Sequence, residues 1–131
     1  MKFHKDGTLP LLNPYTCFVF GSNLAGRHGA GAAKVAHQKY GAKYGIGVGF
    51  YGNSFAIPTK DLKLSTLNLE QIESFVNEFL KFSFNRNLDF FVTRIGCGLA
   101  GYKDEQIAPL FKNASNNCSF AEEWKKFLIA S

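Results

Sequence analysis

Thr16 to Gly31 reads TCFVFGSNLAGRHGAG, and this stretch decides the fold. Its first five residues are β-branched, aromatic or small and apolar, which predicts a short buried strand over Thr16–Phe20 that stops at Gly21. Gly21–Gly31 holds four glycines and no apolar period, so it reads as a loop. From Ala30 the chain becomes AGAAKVAHQKYG, with Ala32, Val35, Ala36 and Tyr40 near helical spacing. Gly41 suits the left-handed position past a helix end. Strand, glycine loop and helix follow one another without a break.

The same grammar returns downstream. Ser54–Ile57 predicts a short strand ended by Pro58. Asn68 and Gln71 make a capping box for a helix striped by Leu69, Ile72, Phe75, Val76, Phe79 and Leu80. Leu88–Ile95 is the clearest strand, and Gly96–Gly101, GCGLAG, leaves it at once as a second glycine loop. Asp104 would cap a helix reaching about Lys112, with Pro109 bending it or marking its first turns. Ser119 and Glu122 predict a last capped helix through Trp124 and Leu128. Residues 1–15 and the glycine-rich Tyr44–Asn53 read as irregular. Strands alternating with helices predict an α/β fold with a mostly parallel sheet covered on its faces, spanning residues 1–131 as one domain.

Composition narrows the function classes. The 131 residues carry a net charge of +5, but their Lys and Arg are scattered, which argues against nucleic acid as the main partner. The cysteines, Cys17, Cys97 and Cys118, are odd in number and show neither a disulfide framework nor zinc-ligand spacing. No apolar run is long enough for a bilayer and no signal-peptide core is visible, so a cytoplasmic protein without membrane contact is expected. No metal or cofactor is called for.

The chemistry lies in the two glycine loops. A diphosphate needs several donors at close range, and glycine lets backbone N–H groups approach without a Cβ in the way. The first loop also runs into a helix N-terminus, which favours anions. Gly–Ala runs also save space at helix–strand contacts, and the first loop, Gly21–Gly31, has neither GxGxxG nor GxxxxGK[ST] spacing. Two such loops after two strands favour a ligand, because pockets in α/β sheets form beyond the strand ends. Asn23 could hold a ribose hydroxyl or close an Asx-turn. His28 could donate to a phosphate or shuttle a proton, or be an exposed loop residue. Lys60 and Asp61 could be a nucleophile and its base, or a solvated pair. Cys97 reads as a small loop residue, and His37 has no role.

These segments resemble a known family. Gly21–Ala42, GSNLAGRHGAGAAKVAHQKYGA, is similar to the first phosphate loop and following helix of macrodomains. Thr93–Phe111, TRIGCGLAGYKDEQIAPLF, resembles their second loop, above all in the branch of the terminal ADP-ribose protein glycohydrolase. The resemblance covers Thr16–Phe111 and implies a three-layer α/β/α fold, its sheet mostly parallel or mixed, that binds ADP-ribose or a derivative. The ligand-binding set it implies is Gly21, Ser22, Asn23, Gly29, Ala30, Gly31 and Ala32, with Ile95, Gly96, Cys97, Gly98, Leu99, Ala100, Gly101 and Tyr102. Lys60 falls where that branch has a lysine that attacks the sugar. Lys60, His28 and Asn23 form the candidate catalytic set. Ala100 stands where the branch has its catalytic aspartate, and residues 1–15 lack its first strands and their adenine-contacting aspartate. Three functions stay open: hydrolysis of an ADP-ribose phosphate monoester or an ADP-ribosyl ester on protein, recognition of ADP-ribose without chemistry, and association with nucleic acid.

Overall fold

A computed structural model describes residues 1–129, and residues 130 and 131 of the span read as one domain lie outside the described residues. The elements in order are β1 (Lys2–His4), β2 (Thr16–Asn23), α1 (Gly31–Lys39), β3 (Gly49–Tyr51), β4 (Ser54–Lys60), α2 (Leu69–Ser83), β5 (Asp89–Val92), α3 (Asp104–Ile107), β6 (Cys118–Ala121) and α4 (Lys125–Leu128). One six-stranded sheet runs β1-β6-β5-β2-β4-β3. Its first five strands are parallel, and β3 lies antiparallel along β4 at the edge. The fold is therefore α/β with a mixed sheet flanked by helices.

The central strand β2 explains the layering. Cys17 and Val19 pack with Ile72, Val76 and Phe79 of α2, while Phe18 and Phe20 pack with Ala33 and Ala36 of α1. Side chains alternate across a strand, so an unbroken apolar run is what a strand buried on both faces requires. Each fully buried Phe contributes about 1.5–3 kcal/mol of transfer free energy. The capping box of α2 is present, with Asn68 Oδ1 accepting from Gln71 N at 2.9 Å and Gln71 Oε1 from Asn68 N at 3.0 Å. Gly41 follows α1 with φ +76°.

Several expected boundaries move. β2 does not stop at Gly21, because Gly21, Ser22 and Asn23 go on pairing with Ile57, Pro58 and Lys60, with an irregularity between Ser22 and Asn23. β4 likewise passes through Pro58 to Lys60. β3 pairs only Ser54–Ala56, so Pro58 falls beyond the doubly paired stretch, where a missing N–H costs least. β5 ends at Val92, short of Ile95. The helix expected over Asp104–Lys112 is four residues of α3 followed by a 3₁₀ turn, Ala108–Phe111, which carries Pro109 in its first turn.

The largest correction concerns the chain ends. Ser119 does not cap a helix. Cys118–Ala121 is β6, inserted in parallel between β5 and β1, and the helical turns start only at Glu122. Within residues 1–15, expected to be turns or an irregular edge segment, Lys2–His4 is a regular edge strand paired with Ser119–Ala121, and the remainder is turns and irregular chain. Gly49–Tyr51, read as loop, is the antiparallel edge.

Candidate functional site

A cleft of about 880 Å³ opens at the carboxyl ends of the parallel strands. From β2 the chain passes α1 and turns toward β4, whereas from β4 it crosses by α2 to β5 on the other side of β2. Connections that leave in opposite directions make a crevice at such a point, and its size is that of a small-molecule site. Both glycine loops line it, with Gly29, Ala30, Gly31 and Ala32 from the first and Ile95 through Ala100 from the second. Their bases touch: a Cβ on Gly21 would lie 3.6 Å from Gly96 N.

The amides of these loops have room for a ligand. The first hydrogen bond of α1 runs from Lys34 N to Ala30 O, at 3.2 Å. Ala30 is the N-cap without a side-chain bond, and no acid stands in the first turn. The N–H groups of Gly31, Ala32 and Ala33 thus lack an intrahelical acceptor. In the second loop Cys97 N, Gly101 N and Tyr102 N donate to Arg94 O, Gly98 O and Gly96 O, whereas the amides of Gly98, Leu99 and Ala100 have no acceptor among the described residues.

The two loops are braced in different ways. The first is interlocked with the segment 43–47, which the sequence does not mark as a support. Gly45 N donates to Gly26 O at 2.9 Å, and Ser22 Oγ donates to Gly47 O. A Cβ on Gly26 would collide with Gly45 backbone, and one on Gly47 with Asn23 O. The second loop hangs on Arg94, whose Nε and Nη2 donate to Asp104 Oδ1 and Oδ2 at 2.9 and 2.6 Å. Its Nη1 reaches Asp6 Oδ2 at 3.1 Å, and Trp124 Nε1 donates to Asp104 Oδ1 at 2.7 Å. Arg94 first, then Trp124, holds the Asp104 carboxyl below its ordinary pKa against the opposing effect of burial.

The candidate catalytic residues part company here. Lys60 ends β4 at the cleft, and neither it nor Arg27, which also lines the cleft, belongs to an ion pair among the described residues. Asn23 lines the cleft too, but its amide closes its own loop, with Oδ1 accepting from Arg27 N at 2.9 Å and Nδ2 donating to Arg27 O at 2.8 Å. His28 is neither exposed nor in the cleft. It is wholly buried behind the loop, with Nε2 donating to Lys43 O at 2.9 Å and Ile46 O at 3.1 Å. Gly101 and Tyr102 lie outside the cleft lining, and the Tyr102 hydroxyl donates to Leu67 O at 2.6 Å. Ser22 is at the cleft with its hydroxyl turned to Gly47.

The acids that could help Lys60 are engaged elsewhere. Asp61 Oδ1 accepts from Lys63 N and Ser65 N at 2.8 and 3.0 Å, tying the turn in which Leu64 is held at φ +66° on the cleft edge. Asp104 is committed to Arg94 and Trp124. Burial, then Asp104, pushes the Cys97 thiol up to about 12, so it is no thiolate at neutral pH.

Nothing local in the sequence marks the other end of the cleft. His4, Asp6, Gly7, Thr8 and Leu9 line it beside Phe18, Val35 and Phe91. The His4 ring stacks on Phe91 at 3.8 Å between centroids, and its Nδ1 lies 2.7 Å from Ser119 Oγ. Burial lowers the His4 pKa despite Asp6, Glu123 and Glu122. No local signal could have found this wall, because it exists only once β1 pairs with β6. Among the described residues no group of three or more His, Cys, Asp or Glu could hold a metal ion, and no helix is long and apolar enough to cross a membrane. Comparison with protein-family models, curated proteins and solved structures finds no match for this chain.

Proposed function

We propose that this protein binds ADP-ribose or an ADP-ribose derivative, with the diphosphate on the two glycine loops and the adenine at the His4–Phe91 end. One observation carries the reading: acceptorless amides from Gly31–Ala33 and from Gly98–Ala100 line a single cleft at the switch point of the sheet. The macrodomain resemblance of Gly21–Ala42 and Thr93–Phe111 supports the same ligand. Phe18, Val35 and Phe91 supply the apolar contact that a flat base needs.

Hydrolysis fits this site for substrates whose leaving group departs as an anion. Lys60, as its neutral amine after giving a proton to solvent, attacks the anomeric carbon of the distal ribose while the C–O bond to the leaving group breaks and its electron pair leaves with the oxygen. Water then displaces the lysine nitrogen from that carbon, giving the free ribose hydroxyl and the ammonium. A water beside Lys60 does the same in one step, its spare proton passing to solvent. A phosphate or a carboxylate accepts that pair without a proton. This suits ADP-ribose 1″-phosphate and ADP-ribosyl esters on protein, the reactions least harmed by having alanine at position 100. The second reading is a reader module without turnover. It is favoured by Ala100 and by the engagement of Asp61 and Asp104 elsewhere.

Calorimetry with ADP-ribose, followed by turnover of both substrates by the wild type and by Lys60→Ala, tests the proposal. Saturable heat with turnover that falls in Lys60→Ala supports hydrolysis. Heat without turnover leaves the reader. A protein that takes up neither ADP-ribose nor either substrate rules out both.

A further inference from the structure

We infer that His28 is a positioning residue: it fastens the first glycine loop to the segment 43–47 and so fixes the amides that follow it, without touching the ligand. Both partners of Nε2 are backbone carbonyls, so that nitrogen carries the proton and donates to both Lys43 O and Ile46 O. Nδ1 has no hydrogen-bond partner among the described residues. A general acid or phosphate donor would offer a nitrogen to the cleft. Here the ring is fully buried and absent from the cleft lining.

The ring is also held by its neighbours. Phe20 meets it edge-on at 5.4 Å and Tyr44 lies 5.6 Å away, between centroids. Three ties join the two segments: Ser22 to Gly47, Gly26 to Gly45, and His28 to Lys43 and Ile46. His28 supplies the tie nearest the Gly29–Ala32 run, since it stands between Arg27 and Gly29, both of which line the cleft. The Gly–Ala run after it has no side chain to hold its own shape. Its geometry is therefore imposed from behind.

The ligand half of this inference rests on the proposed function, and the loop half does not. The experiment separates them by comparing His28→Phe, which keeps ring bulk and loses the donor, with His28→Gln, whose amide keeps an N–H at about the same reach. Hydrogen exchange is measured on ligand-free protein, and ADP-ribose and inorganic pyrophosphate are titrated by calorimetry. In His28→Phe the amides of 24–31 and 43–47 should exchange faster together, with Phe18–Phe20 protected as in the wild type. ADP-ribose affinity should fall about tenfold, as the loss of one or two neutral hydrogen bonds would give. His28→Gln should recover both. Should His28→Phe not fold, His28→Asn, too short to reach both carbonyls, takes its place. Unchanged exchange in the donor-less variant overturns the inference. So does a His28→Gln that exchanges like the wild type yet binds as poorly as His28→Phe, since the ring would then act on the ligand directly. A wild type that binds neither probe defeats the proposed function, while the exchange data still decide the role of His28.

Discussion

The two glycine loops look alike in sequence and are built on opposite plans. The first is pressed backbone against backbone onto the segment 43–47, with Gly26 against Gly45 and Gly47 against Asn23 at distances no Cβ can share, and the Ser22 and His28 side chains tie it there. The second is free along its crest. A Cβ on Gly98 would meet nothing within 4 Å, and Leu99 is 73% exposed. Its order comes from side chains at its root, through Arg94, Asp104 and Trp124. Glycine thus does two jobs around one cleft: it removes atoms where two stretches of chain must touch, and it leaves backbone amides uncovered along the crest of the second loop.

The sharpest way to break this contrast is Gly47→Ala. The new methyl would fall on the Asn23 carbonyl, and both sides of the contact are backbone. We expect a loss of about 3 kcal/mol, the upper range for overpacking, and a melting temperature lower by roughly 10 °C. A thermal melt followed by circular dichroism checks it. An unchanged transition would mean that the two segments are not packed together.

Arg94→Ala tests the other brace. It removes a two-point bond to Asp104 whose partners are 32% and 23% exposed, so solvent screens part of it. Urea titration should show a loss of about 1–3 kcal/mol, with hydrogen exchange faster in 96–101 and unaltered in 24–31. Faster exchange in both loops would erase the distinction between them.

The same pair sets a pH dependence. Asp104 has a folded pKa held below 3.8, chiefly by Arg94, so its contribution to stability is complete above that value and is lost as pH falls through the folded pKa. The stability gap between wild type and Arg94→Ala should stay constant from neutrality down to about pH 5 and narrow below pH 4. A gap that widens with acid would give the sign of the linkage as wrong. The smallest effect belongs to Gly98→Ala, where open space and an ordinary backbone predict a change within about 0.5 kcal/mol. A destabilisation as large as that of Gly47→Ala would show the crest of the second loop to be packed.

Much of the molecule was legible where its cause is local. TCFVF reads as a doubly buried strand because every residue of it is apolar or β-branched. Asn68 with Gln71 starts a helix because both partners of the box lie within one turn. Ser119 with Glu122 shows the same local pattern and yields a strand, because β5 and β1 leave a parallel slot between them that only Cys118–Ala121 fills. Three-residue strands such as Lys2–His4 carry no period at all. The partner of Lys2–His4 lies more than a hundred residues away, with Lys2 opposite Ser119.

At the cleft, the sequence singled out two loops that line it and left open which side of them several polar residues face. Asn23, His28, Asp61 and Asp104 all turned inward to the scaffold. An isolated loop gives no sign of the second glycine segment, 43–47, that waits behind it.

By itself the sequence determined the buried strand at TCFVF, the glycine turn that enters α1 and the capped helix α2, since each follows from the chemistry of a few neighbouring residues. Tertiary structure alone decided which polar groups remain for a ligand. A donor or acceptor is spent or spare according to what packs against it, and those partners come from distant parts of the chain.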